Sequence, residues 1–117
     1  MQELIEYFEV LYSPEADRVL DQLDEKARKK IVYNIDRAKF TLDPKLFKKI
    51  SNELWEFRTR YSNIQYRLFA FWDKVGGKST LIIVTHGIQK KSQKLPKTEI
   101  IRALKIRTSY FNNHKKI

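Results

Sequence analysis

Apolar positions in the first third of the chain follow the spacing of one strand and two helices. Ile5 to Tyr12 is rich in aromatic and aliphatic side chains that favour a strand. Ser13-Pro14 then has the form of an N-cap followed by proline in the first turn of a helix with the stripe Ala16, Val19, Leu20 and Leu23. Asp24 is expected to cap a second helix, with the stripe Ala27, Ile31, Ile35 and Ala38. Leu42-Asp43-Pro44 ends this predicted helical hairpin, because a residue before proline disfavours helix.

The pattern then changes to an alternation of apolar and polar residues. It predicts three strands, at Leu54 to Tyr61, Ile64 to Trp72 and Ser79 to His86, joined by turns at Ser62-Asn63 and at Val75 to Lys78. Pro96 opens a last helix, whose inward residues would be Ile100, Ala103, Leu104 and Phe111. The order β-α-α-β-β-β-α predicts an α+β fold, in which the helical hairpin covers one face of an antiparallel meander sheet. The length of 117 residues fits a single domain over residues 1–117.

A two-residue turn at Ser62-Asn63 fixes which residues of the central hairpin face each other. Arg58 then lies opposite Arg67, and side chains alternate between the two faces of the sheet. The face predicted to form the core carries Trp55, Phe57, Thr59, Tyr61, Tyr66, Leu68, Ala70 and Trp72. The other face, predicted to be open, carries Glu56, Arg58, Arg60, Gln65, Arg67, Phe69 and Phe71.

The opposed arginines suggest two interpretations, since like charges across a strand pair are destabilising. Glu56, two residues from Arg58 on the same face, could balance them in a purely structural arrangement. Alternatively, Arg58 and Arg67 hold a phosphate, for which the guanidinium fork is better suited than lysine. In that case Arg60 would add charge, and Phe69 and Phe71 would offer rings on which a base could stack.

A second candidate region follows the third predicted strand. It contains His86, Lys90, Lys91, Lys94 and Lys97 and ends at the start of the last helix, where basic side chains and free backbone N–H groups favour an anion such as an RNA phosphate. The plainer alternatives are a hydrogen-bonded structural histidine and a solvated lysine loop. The sequence contains no glycine-rich phosphate loop, no paired histidine motif and no cysteine, and its carboxylates do not cluster. We therefore expect neither a metal nor a cofactor.

The charge distribution adds a functional indication. The net charge is +10, yet residues 3–25 carry eight acidic residues and only one basic residue, Arg18. From His86 onward the chain carries nine lysines and arginines and one carboxylate, Glu99. Such a basic half attracts nucleic acid or an acidic partner, although a solubilising surface is the alternative. With no long apolar run, no basic leader and no cysteine, the sequence predicts a cytoplasmic protein that does not bind membranes.

Several short motifs occur in an order that resembles a known family. Leu54-Trp55-Glu56-Phe57-Arg58 is followed by Tyr66-Arg67, by His86-Gly87 with Lys90-Lys91, and by Pro96 with Glu99-Ile100. This order resembles the phage-derived, HigB-like branch of the RelE/ParE toxin superfamily, over nearly the whole chain. The resemblance implies the same fold, ribosome-dependent cleavage of mRNA, and neutralisation by a cognate antitoxin, expected to be a HigA-like helix-turn-helix protein. It assigns the strand arginines to Arg58 and Arg67, and the basic groups near the sheet end to His86, Lys90 and Lys91. Tyr110 is the only candidate for the C-terminal tyrosine of some relatives.

These expectations combine into a metal-free reaction on mRNA, in which the ribose 2′-OH attacks the adjacent phosphate and expels the 5′-oxygen. Arg58 and Arg67 would stabilise the negative charge, while His86, Lys90 or Lys91 would supply the base and the acid. Two other functions stay open. One is a non-catalytic basic module that binds RNA or a partner, and the other is a ParE-like toxin that inhibits gyrase, because fold alone does not decide function.

Overall fold

Three helices and five strands make up the part of the chain that the computed structural model describes, residues 5–41, 43–74, 81–90 and 97–114. In chain order they are β1 (Glu9–Tyr12), α1 (Pro14–Gln22), α2 (Glu25–Thr41), β2 (Phe47–Lys49), β3 (Trp55–Tyr61), β4 (Ile64–Asp73), β5 (Leu81–Lys90) and α3 (Lys97–His114). The strands form one sheet in the order β1-β5-β4-β3-β2. Strands β2 to β5 are antiparallel, and β1 is added parallel to β5. The predicted α+β fold is confirmed, with a short strand added at the β2 edge.

The helical hairpin forms because two short segments carry apolar stripes and good end signals. The Ser13 hydroxyl accepts a hydrogen bond from the Ala16 amide at 3.1 Å, and Pro14 opens α1. The predicted stripe residues Ala16, Leu20, Ala27, Ile31, Ile35 and Ala38 are all buried in one core with the sheet face that holds Phe57, Tyr66, Leu68 and Ala70. Asn34 of α2 also donates to the Thr59 hydroxyl at 3.1 Å, which joins the hairpin to β3.

The connection between β3 and β4 is the two-residue turn that the sequence predicts. Ser62 and Asn63 both have positive φ angles, 53° and 65°, as a type I′ turn requires. This turn places Tyr61 opposite Ile64 and, three residue pairs further along, Arg58 opposite Arg67. The predicted register of the central hairpin is therefore confirmed.

The last helix covers much of the sheet face that was predicted to be open. Phe69 and Phe71 are completely buried there, in a second core with Leu54 and Ala103. Ile100, Leu104, Tyr110 and Phe111 of α3 pack against this core. The prediction that Phe69 and Phe71 offer rings for base stacking is thus wrong, because their apolar surface is buried against α3.

Several element boundaries also differ from those predicted. Strand β1 begins at Glu9 and not at Ile5, since the Tyr7 amide donates to the Lys39 carbonyl of α2 at 2.8 Å. Strand β5 continues past His86 to Lys90, and the three-residue strand β2 was not predicted at all. The predicted turn at Val75 to Lys78 and the helix-opening Pro96 lie outside the described residues. No helix within the described ranges is long and apolar enough to cross a bilayer.

Candidate active site

Arg58 and Arg67 lie side by side on the central strands, with one carboxylate between them. Glu56 Oε1 is 3.4 Å from Arg58 Nε, and Glu56 Oε2 is 3.7 Å from Arg67 Nη1. Arg67 Nη2 also donates to the Gln65 amide oxygen at 3.1 Å. We refer to Glu56, Arg58, Gln65 and Arg67 as the arginine cluster. The cluster combines the structural and the phosphate-binding interpretation of the sequence. Glu56 balances part of the charge of the two guanidinium groups, and an excess positive charge is left.

The two arginines differ in their access to solvent. The Arg67 side chain is 3% exposed, whereas that of Arg58 is 24% exposed. Arg60, two residues beyond Arg58 on β3, is exposed. Positive charge therefore becomes more accessible from β4 towards β3 and towards the Ser62-Asn63 turn. Arg58 and Arg60 can contact an incoming phosphate, and Arg67 supports them from inside.

Burial and the neighbouring cations have opposite effects on the ionisation of Glu56. Burial raises the pKa of the Glu56 carboxyl, and the charges of Arg67, Arg58 and Lys48 lower it by less. The ion-pair distances do not correspond to well-formed hydrogen bonds, because Glu56 Oε2 and Arg58 Nε have no hydrogen-bond partner within the described part of the chain. The carboxylate is held by charge more than by directed hydrogen bonds. One carboxylate cannot neutralise two guanidinium groups, and the part of Arg58 that an anion can reach is the exposed quarter of its side chain, since its Nε is buried against Glu56.

Lys48 is a member of this surface that sequence reasoning missed. It lies on β2, where its backbone pairs with Glu56, and its side chain is exposed. With Lys48, three cations act on the Glu56 carboxyl, the others being Arg58 and Arg67. The three-residue strand β2 is too short to show a recognisable alternation of apolar and polar residues. The pairing of Lys48 with Glu56 could therefore not be predicted.

His86 occupies a different position from the one that the sequence predicts. It is completely buried within β5, opposite Phe69, and not at the end of a strand. Its Nε2 is 2.8 Å from Glu99 Oε2 on α3, and its Nδ1 is 3.1 Å from the Thr85 hydroxyl. The Phe69 ring is packed against the imidazole, with centroids 5.0 Å apart. His86 therefore joins α3 to the sheet, and without exposed surface it does not reach a substrate in this structure.

The environment of His86 keeps the imidazole neutral. Burial lowers the pKa of His86, and the hydrogen bond from its ring to Glu99 offsets only part of that effect. Glu99 accepts from a protonated Nε2, which leaves Nδ1 as an unprotonated acceptor facing the Thr85 hydroxyl at 3.1 Å. The Thr85 hydroxyl also lies 3.1 Å from the Phe69 carbonyl, and its single proton cannot serve both acceptors at once. The prediction of His86 as an exposed acid or base is wrong, and the hydrogen-bonded structural alternative fits the contacts.

Position 87, which follows His86, leaves little room for any side chain larger than that of glycine. A Cβ atom on Gly87 would lie 3.0 Å from Leu68 Cγ and 3.3 Å from the Arg67 carbonyl oxygen. The second of these contacts is with the backbone of β4, which cannot move without displacing Arg67. Gly87 thus allows β5 to lie close to β4 beside the arginine cluster.

The remaining predicted site residues are distributed differently. The backbone of Lys90 pairs with Gln65, two residue pairs from Arg67 and nearer the Ser62-Asn63 turn, whereas Lys91 and Lys94 lie outside the described residues. Lys97 is the exposed first residue of α3. The Tyr110 hydroxyl donates to Asp73 at 2.5 Å, and Asp73 is six residues from Arg67 along β4, or about 20 Å. Tyr110 therefore lies far from the two arginines, and burial together with Asp73 raises its pKa to about 12.

The ligand types that hold metal ions are dispersed. Within the described ranges, His, Asp and Glu residues form no group of three that could hold a metal ion. The candidate site is therefore described by its arginines, by Glu56 and by the neighbouring lysines.

Comparison with known proteins identifies the family. The model of the family described as "Phage derived protein Gp49-like (DUF891)" matches residues 18–108. This range includes most of α3 and all of the strands except β1. No curated protein matches the chain. The matched region contains the arginine cluster, Gly87 and the His86–Glu99 contact. The chain therefore belongs to the phage-derived Gp49-like family, a family of RelE-like toxins of toxin–antitoxin systems.

Proposed function

We propose that this protein is a ribosome-dependent endoribonuclease that cleaves mRNA and so inhibits translation, as in the HigB-like branch of its superfamily. Membership in a family of RelE-like toxins supports this proposal, and a toxin of this kind has a cognate antitoxin. The observation that carries it is the pairing of Arg58 with Arg67 in register, around a carboxylate that neutralises them only in part. The proposed antitoxin is a HigA-like helix-turn-helix protein.

In the proposed reaction the ribose 2′-OH attacks the adjacent phosphate and forms a 2′,3′-cyclic phosphate. A base takes the proton of the 2′-OH, and an acid donates a proton to the departing 5′-oxygen. Arg58 stabilises the negative charge that builds on the phosphate oxygens, and Arg67 holds Glu56 and Arg58 in place while adding to the positive field. If the ribosome positions the mRNA, the protein itself needs to supply little of the orientation.

The proton-transfer groups are proposed to be Lys90 and Lys91, with His86 now excluded by its burial. The backbone of Lys90 pairs with Gln65, two residues from Arg67 along β4 on the side of the Ser62-Asn63 turn. A lysine near several arginines favours its neutral form more than a free lysine does, because nearby positive charge disfavours the ammonium ion. Substitution of each lysine by methionine, with the same cleavage assay, tests this assignment.

The main experiment compares Arg58→Ala with Arg67→Ala in ribosome-programmed mRNA cleavage, measured by primer extension. Arg58→Ala should reduce the cleavage rate by about 10²–10³ and leave thermal stability nearly unchanged. Arg67→Ala should also destabilise the protein by about 3 kcal/mol, because it removes one partner of a buried ion pair. Arg58→Lys should retain more cleavage activity than Arg58→Ala but less than the wild type, since lysine keeps the charge and lacks the planar guanidinium fork.

Arg18→Ala is the matched control, because Arg18 is an exposed arginine of α1 outside the cluster. It should leave both cleavage and melting temperature unchanged. Full cleavage by the folded Arg58→Ala variant would rule out the proposed role of Arg58. A protein that binds RNA and never cleaves it, even on ribosomes, would support the non-catalytic alternative.

A further inference from the structure

Two surface cavities meet at Trp72, at the end of the sheet farthest from the Ser62-Asn63 turn. One, of about 520 Å³, is lined by Tyr7, Phe47, Trp55 and Trp72, with Lys48 and Lys49 at its side. The other, of about 450 Å³, is lined by Trp72, Lys74, Arg107 and Phe111, together with Asn52 and Glu53. Trp72 lines both cavities, and we name the two together the aromatic groove. The proposed cleavage chemistry does not use it.

The two tryptophan rings of the groove pack against neighbouring aromatic rings and keep part of their surface exposed. Phe47 stacks on Trp55 at 4.7 Å and 18°, while Trp55 and Trp72 are nearly perpendicular, with centroids 5.8 Å apart. Both tryptophans are only partly buried. The Lys74 ammonium lies over the Trp72 ring at 5.8 Å. A ring face that an exposed, flexible cation covers is one that a planar base can take, with the cation moving to the base's phosphate.

The charges around the groove favour a polyanion. Lys48, Lys49, Lys74 and Arg107 line it, against the single carboxylate of Glu53. The Arg107 guanidinium lies over the Phe111 ring at 5.0 Å in one cavity, and the other cavity is lined by two lysines beside its aromatic rings. Phosphates need the cations and unpaired bases need the rings, whereas an acidic peptide needs only the cations. The combination favours single-stranded RNA.

Lys48 connects the groove with the arginine cluster. Its backbone pairs with Glu56, its charge acts on the Glu56 carboxyl, and its side chain lines the groove. Trp72 lies five residues along β4 from Arg67, about 17 Å away. We propose that the aromatic groove binds unpaired bases of the same RNA that the arginine cluster acts on, as a second contact beyond the cleaved bond. This inference rests on the proposed function for the identity of the RNA.

The experiment uses the fluorescence of the protein's only two tryptophans, Trp55 and Trp72, both of which line the groove. An oligoadenylate of about six nucleotides should quench this fluorescence with saturation, because bases stack on indole rings. Inorganic tripolyphosphate, which offers charge without bases, and a glutamate hexapeptide should quench weakly or not at all. Equal quenching by the hexapeptide would overturn the proposal in favour of an acidic protein partner, and no quenching by oligoadenylate would also overturn it.

Charge reversal at the groove gives the second arm. The double variant Lys74→Glu, Arg107→Glu should weaken oligoadenylate binding about tenfold and reduce the log–log salt slope by about 1.4, since each lost phosphate contact contributes about 0.7 for a single strand. The control, Lys26→Glu with Lys30→Glu, makes the same change in net charge on the exposed surface of α2 and should leave the slope unchanged. Equal effects of the two variants would overturn the proposal.

Failure of this inference is distinguishable from failure of the proposed function. If the groove does not bind RNA, Arg58→Ala still loses cleavage and only the second contact is lost from the account. If cleavage does not depend on Arg58 but oligoadenylate quenches the tryptophans, the groove remains as an RNA site of a non-catalytic protein.

Discussion

At the residue scale, Arg58 and Arg67 look equivalent in the sequence and differ in the fold. Both lie on the same face of the central hairpin, directly opposite each other. Arg67 is on the inner strand β4 and is almost fully buried, whereas Arg58, on β3, keeps a quarter of its side chain in solvent. The same substitution therefore tests chemistry at position 58 and mainly ion-pair stability at position 67. The sequence contains no signal for this difference, because it depends on the strands that flank β3 and β4 in the sheet: β4 lies between two long strands, whereas β3 has the three-residue strand β2 on its other side.

His86 makes stability depend on pH. Burial lowers its folded pKa below the ordinary value, so the unfolded chain binds a proton first as the pH falls. The stability that neutral His86 contributes is complete above the unfolded pKa of about 6.5 and is lost as the pH falls through the lower folded pKa. Glu99 and Glu15 act against this shift and Arg102 acts with it, but burial is the largest cause.

We therefore expect the wild-type protein to have a lower melting temperature at pH 5 than at pH 7. His86→Gln should reduce that difference, because an amide can still donate to Glu99 and does not titrate in this range. Thermal melts of both proteins over this pH range measure the effect. An identical pH dependence in the two proteins would show that His86 does not titrate between the folded and unfolded states as its burial requires.

At the scale of elements, the turn between β3 and β4 determines whether the arginines meet. A register shift of one residue would place their side chains on opposite faces. Ser62 and Asn63 both adopt positive φ angles, which serine tolerates less well than asparagine or glycine. The turn has the correct length but not the most favourable residues.

Replacing Ser62-Asn63 with Asn-Gly should raise the free energy of unfolding by about 1 kcal/mol, because these residues favour the type I′ turn. Asn63→Ala should lower it by a similar amount, about 1 kcal/mol, since alanine is strained at positive φ. Urea denaturation measures both changes, and mRNA cleavage by the Asn-Gly protein should equal that of wild type because the register is preserved. Loss of cleavage in a stable Asn-Gly protein would show that the arrangement of the arginines does not depend on this register alone.

Local patterns predicted the elements but not the way they cover each other. Alternation in the hairpin gave the register of Arg58 with Arg67, and the stripes from Ala16 to Ala38 gave the helical hairpin and its core. The position of α3 on the second face of the sheet was not predicted, because an apolar stripe on a helix does not specify which surface it packs against. Phe69, Phe71 and His86 were interpreted as exposed for that reason. Strand β2 was missed because its pairing depends on β3 and not on its own three residues.

At the scale of the whole molecule, opposite charges are separated. The acidic residues Glu15, Asp17 and Asp21 belong to α1, whereas the arginine cluster and the aromatic groove bring cations from β2, β3, β4 and α3 together. A polyanion is attracted to the second region and repelled from the first. This arrangement would orient the proposed RNA substrate towards the cluster, and it would also make the same surface attractive to an acidic inhibitor.

The strongest test of the whole protein separates mRNA cleavage from gyrase inhibition. Induction of this chain in bacteria without an antitoxin should stop growth, and incorporation of labelled methionine should fall before incorporation of labelled thymidine. The reason is the proposed role of Arg58, Arg67 and Lys48 in holding the phosphate that the ribose 2′-OH attacks, because DNA lacks this hydroxyl and the first target should then be RNA. The Arg58→Ala protein, produced at the same level, is the control and should allow growth. A fall in thymidine incorporation that comes first, with a DNA-damage response and intact mRNA, would instead establish the ParE-like activity.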